Sequence, residues 1–133
     1  MEFIFYNSNP KDIHVEDCVI RGLSLFLDQT WNEIYIFLCE KGYELKDLPS
    51  SNIVWGSFLE DLGYKRNILP NTCPVCYTVK QFCKDFPLGK YLLGTGDHIL
   101  VVIDGNYYDT WDSGDLTPIY YWEKDMNEGN VNE

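Results

Sequence analysis

His98-Ile99-Leu100-Val101-Val102-Ile103-Asp104-Gly105-Asn106-Tyr107-Tyr108-Asp109-Thr110-Trp111 is the stretch that decides the fold. Two runs rich in Val, Ile, Leu and Tyr flank Asp104-Gly105-Asn106, residues that tolerate positive φ, so the segment predicts a tight antiparallel hairpin. Lys90 to Gly94 before it and Pro118 to Glu123 after it have the same strand character. The last third of the chain therefore predicts an antiparallel sheet.

Upstream of Pro87 the apolar spacing turns helical. One helix is expected from Cys18 to about Leu27, with Val19, Ile20, Leu23 and Phe26 on its inner side. A second opens at Thr30, where Thr30-Trp31-Asn32-Glu33 reads as a capping box, presents Trp31, Ile34, Tyr35 and Leu38, and stops at Gly42. A third runs from the turn Pro49-Ser50-Ser51-Asn52 to Gly63, and a fourth from Pro74 to Asp85. The expected class is α+β, N-terminal helices packed on a C-terminal antiparallel sheet. Residues 1–126 form one domain and the polar stretch 127–133 a frayed tail.

Ten basic against 21 acidic residues, a formal charge of -11, oppose binding to phosphate backbones and anionic membrane surfaces. No secretory signal and no run of about eighteen apolar residues is present, so a cytoplasmic protein is expected. Five cysteines are an odd number, and reduced thiols are the default. A monomer is assumed, and no cofactor is implied. The acidic surface reads as solvation, or, more sharply, as that of an inhibitor or decoy that meets a basic protein partner.

Cys18 follows the turn residue Asp17 and opens the first helix, where the positive end of the backbone dipoles favours thiolate. His98, eighty residues later, could complete its activation, and a carboxylate would orient the imidazole. Each residue also has a plain structural reading, as a core cysteine, a strand histidine or a turn aspartate. If Gly105 and Asn106 are the two turn residues, Asp109 falls opposite Val102 on His98's face, and Asp112 points the other way. Asp109 is then four residues off, about 13 Å along a flat ladder. Cys73-Pro74-Val75-Cys76 could be a redox pair or, with Cys83, half of a zinc site. Small apolar packing is preferred, with Cys76 and Cys83 on one helical face. His14 is read as surface.

The order of a helix-opening cysteine and a later strand histidine resembles the papain-like cysteine peptidase superfamily over most of the chain. Asp17-Cys18-Val19 is similar to the Asp-Cys-Ser entry of bacterial cell-wall amidases, and Asp109-Thr110-Trp111 to papain's Asn-Ser-Trp. Thr72-Cys73-Pro74-Val75-Cys76-Tyr77 and Tyr108-Asp109-Thr110-Trp111-Asp112-Ser113-Gly114 resemble phrases in small uncharacterised papain-like proteins of bacteria and their phages. The resemblance implies a hydrolase of peptide, amide or isopeptide bonds, with a Cys18-His98-Asp109 triad and Asp112 in reserve. The family's oxyanion glutamine falls by spacing on Asp12, which is no donor, leaving Tyr6, Asn7 and Asn9 as candidates. Trp111 would shield the triad. Asp17, Trp55 and Trp111 are expected at a substrate cleft, within a wider set of rings that includes Trp31, Tyr107, Tyr108 and Trp122. A degenerate fold kept as a binding module is the alternative.

Overall fold

The computed structural model describes residues 1–125, in which four helices accompany a six-stranded mixed sheet. The tail expected at 127–133 lies outside the described residues. The strands β1 (Phe3–Phe5), β2 (Tyr64–Ile68), β3 (Lys90–Gly94), β4 (Ile99–Ile103), β5 (Asn106–Asp109) and β6 (Tyr120–Lys124) lie in the order β1-β5-β4-β3-β6-β2. All neighbours are antiparallel except β1 and β5. The expectation of a purely antiparallel, C-terminal sheet is corrected on two counts. Phe3-Ile4-Phe5 is too short to announce itself, and it runs parallel to β5. Tyr64-Lys65-Arg66-Asn67-Ile68 carries no clean apolar alternation because it is an edge strand, where charge discourages unwanted pairing.

The helices α1 (Cys18–Phe26), α2 (Trp31–Leu45) and α3 (Asn52–Asp61) cover one face. Leu23, Phe26, Ile34, Leu38, Trp55 and Leu59 pack there against Leu92, Ile99, Val101, Tyr120 and Trp122. The fourth helix, α4 (Val79–Asp85), does not join them. Val79, Phe82 and Cys83 cover the opposite face, against Leu93, Leu100, Val102 and Tyr107. Burial on both faces explains why Ile99-Leu100-Val101-Val102 is continuously apolar rather than alternating.

The Thr30–Glu33 capping box forms as expected, with both reciprocal bonds at 3.0 Å. Gly42 does not end α2, which runs three residues further. A Cβ at Gly42 would lie 2.7 Å from the Asp47 carbonyl, so the glycine serves the close return of the chain. The α4 helix begins only at Val79, where the Thr78 side chain caps it, and Cys73 and Cys76 upstream are joined in a disulfide. That bond overturns the expectation of reduced thiols and of Cys76 sharing a helical face with Cys83, and it removes the pair from any zinc site.

Candidate active site

Cys18 is the first residue of α1, half-buried, and Asp17 precedes it at the cap position without capping the helix through its side chain. The Asp17 carboxylate is committed elsewhere. It forms an ion pair with Arg21 one turn on and accepts from Trp31 Nε1 at 2.9 Å and Asn9 Nδ2 at 3.3 Å. Asp17, 5% exposed, is thus a buried anchor under the helix start and lies outside the cleft where it was expected. The nucleophile candidate stands on a fixed base.

His98 stands just before β4 and Asp109 closes β5, so both side chains leave at strand ends and reach the start of α1. The turn that joins the strands is Asp104-Gly105, with φ of 49° and 78°, the paired positive values of a hairpin turn whose twist suits its strands. Ile103 therefore pairs with Asn106 and Val101 with Tyr108. This corrects the expected register by two. Continued by one step, it puts Asp109 opposite Leu100, two residues from His98 instead of four. The gap closes to hydrogen-bond length: His98 Nε2 lies 2.6 Å from Asp109 Oδ2.

Asp109, 4% exposed, is satisfied on both oxygens. Ser113 Oγ donates to Oδ2 at 2.8 Å, the Thr110 main-chain N–H donates to Oδ1 at 2.8 Å, and Arg21 Nη2 stands 3.9 Å from Oδ1. Asp112, the reserve, accepts from the Tyr107 hydroxyl at 2.5 Å and from the Gly114 amide, away from His98. Trp111, 47% exposed, lays its ring 5.1 Å from the imidazole.

With Nε2 taken by Asp109, Nδ1 is the ring nitrogen left for Cys18, whose thiol is hydrogen-bonded to His98 and to the Ile99 main chain. Burial works against the charged imidazole. The bonds to Asp109 and Cys18, with their charges, overcome it and push His98 up to about 9. Burial likewise raises the Cys18 thiol, but the bonds to His98 and Ile99 and the charges of His98 and Arg21 hold it below its ordinary value. Cys83, buried in the core on the opposite face, shows the contrast: burial pushes its thiol up to about 11. Cys18 thus combines a lowered pKa with an open surface.

That surface is a cleft of about 640 Å³, walled by Glu16, Asn52, Asp97, Trp111 and Tyr120 beside Cys18 and His98. The exposed His14 borders it too. Trp55 does not, being buried and donating to Asn52 Oδ1 at 2.9 Å in the wall of a neighbouring cavity with Trp122. Trp31 stacks on Tyr35, and Tyr107 packs on the α4 side. Tyr6 shares its hydroxyl with Ser24 at 3.0 Å and borders a hollow of about 10 Å³ behind Cys18 instead of the cleft. Asn7 donates to the Ile13 carbonyl and Asn9 to Asp17. None of these three oxyanion candidates reaches the cleft. Arg21, Ser113 and Tyr120 were not anticipated, although the Asp17-to-Arg21 spacing of four on a helix was a legible ion-pair signal.

Among the described residues no three His, Cys, Asp or Glu side chains gather as a metal site, and no helix is long and apolar enough to cross a membrane. No protein-family model, curated protein or solved structure matches this chain.

Proposed function

We propose that this protein is a papain-like cysteine hydrolase acting on an amide, peptide or isopeptide bond of a peptide or protein. The reading is carried by one observation, the continuous chain from the Cys18 thiol through the His98 ring to a buried, fully bonded Asp109. Cys18 Sγ attacks the carbonyl carbon, and the His98 imidazolium gives its proton to the departing amine. Water then attacks the thioester carbon, its proton passes to His98, and the acid leaves as Cys18 regains the charge. Asp109 holds Nε2–H throughout. The Cys18 main-chain N–H, in the first turn of α1, has no helical carbonyl behind it and offers one donor to the oxyanion.

A second reading, a catalytically inactive binding module of the same fold, draws on the engagement of Tyr6, Asn7 and Asn9 away from the cleft. Site-resolved alkylation by iodoacetamide across pH separates the two. A hydrolase requires Cys18 to react below pH 6 far faster than Cys39, with that advantage lost in His98→Ala. Equal rates for Cys18 and Cys39, unchanged by the substitution, would sink the catalytic reading.

A further inference from the structure

Beside the cleft lies a second cavity of about 760 Å³, and the two share Asn52 and Tyr120 as walls. Tyr120 is 6% exposed, yet its hydroxyl has no hydrogen-bond partner among the described residues. Its ring is fixed across Gly94, where a Cβ would lie 2.1 Å from Cζ and 2.4 Å from the hydroxyl oxygen. Arg66 places its guanidinium 5.2 Å from the centre of the same ring. No carboxylate among the described residues pairs with Arg66, although acidic residues outnumber basic ones two to one.

Charge is also ordered along this cavity. Strand β2 pairs Tyr64 with Lys124, Arg66 with Trp122 and Ile68 with Tyr120, so Arg66 lies nearer the cleft than Asp125 does. Glu60 stands eight residues along α3 from Asn52, about 12 Å at the helical rise, again at the far end. Of the two cations in this wall, Arg66 thus stands nearer the cleft end than Lys65, and the two carboxylates stand away from it. A guanidinium fork beside a phenol matches a carboxylate, which can accept from both.

We propose that this second cavity is a substrate subsite for a carboxylate-bearing residue next to the bond attacked at Cys18, with Arg66 and the Tyr120 hydroxyl as its donors. It rests on the hydrolase reading for its role but not for its binding chemistry. The specificity is for an acidic residue over its uncharged amide, in a protein whose surface otherwise repels anions.

The test is an NMR titration of the Cys18→Ser protein with N-acetyl-glutamate amide and, separately, N-acetyl-glutamine amide, read at the indole N–H signals of Trp55 and Trp122. Saturable shifts with the glutamate probe are expected, with affinity about tenfold weaker for the glutamine probe and in Arg66→Gln, the loss of one charged hydrogen-bonded pair. Arg66→Lys, which keeps the charge and loses the fork, should fall between. Arg66 is exposed on an edge strand, so the variants keep the fold, as the dispersion of the spectra would verify. Equal affinity for both probes, no shift with the glutamate probe, or unchanged affinity in Arg66→Gln would overturn the subsite. Because the titration does not use the Cys18 thiol, selective binding together with an unreactive Cys18 in the wild-type alkylation would retain the subsite and discard the hydrolase. A reactive thiol with unselective binding would do the reverse.

Discussion

Ser113 and Asp109 are hydrogen-bonded at 2.8 Å, the serine hydroxyl donating to the carboxylate oxygen that also receives the His98 ring. One oxygen thus fixes the loop after β5 and the imidazole together. With the Thr110 amide on the other oxygen, the carboxylate is held in one orientation.

Asp109, not Asp112, should therefore set the ionisation of His98. In wild type the ring carbon protons of His98 are expected to titrate near 9 by NMR. Asp109→Asn removes the charge that supports imidazolium, so the midpoint should move down. Asp112→Asn should leave it in place. An unshifted midpoint in Asp109→Asn would exclude Asp109 as the orienting residue.

Removing Arg21 would strand the buried Asp17 carboxylate without its cation and leave Asp109 with the His98 imidazolium alone. Arg21→Met is expected to cost about 3–5 kcal/mol in urea unfolding, the usual penalty for breaking a buried pair from one side. Adding Asp17→Asn should recover part of the loss, which a double-mutant cycle measures as coupling. A loss under about 1 kcal/mol, as for surface pairs, would show that water already screens this cluster.

Gly94→Ala brings its methyl into the Tyr120 ring, and since Gly94 has no positive φ the penalty is steric. A loss of about 1–3 kcal/mol is expected. It should shrink sharply when the same change is made in a Tyr120→Ala background. Equal losses in both backgrounds would mean that the ring does not rest on Gly94.

At Gly105 the reason is conformational, with φ at 78°. Gly105→Ala should cost about 1–2 kcal/mol for a left-handed residue with a side chain, and its Cβ would also sit 3.2 Å from the Cys83 carbonyl. Urea unfolding gives the loss. A neutral result would indicate that the turn can change type.

Helix starts with local chemistry were legible in the sequence: the Thr30 box and the Ser51 turn lie where their side chains predict. Strand β3 matches residue for residue, because its apolar run is bounded by turn residues. Strands β1 and β2 were not legible. Their places depend on partners β5 and β6, more than fifty residues away, and no short-range pattern records that. The likeness in spacing suggested Cys18, His98 and Asp109 together, whereas the ladder geometry left the acid unresolved, since one residue of uncertainty in the turn moved Asp109 by two positions along β4. Asp17 was placed by its proximity in sequence to Cys18, the three oxyanion candidates by their position upstream of it, and Trp55 by its ring alone. Their actual positions follow from burial, as Asp17 and Trp55 find partners beneath the surface.

The contact between Trp111 and His98 gives the site a signal of its own. An imidazolium ring accepts an electron from an excited indole far better than neutral imidazole does. The proton on His98 is therefore coupled to emission from Trp111, and fluorescence should brighten as the ring is neutralised near pH 9. The ionisation of His98 can thus be followed optically in the protein by itself.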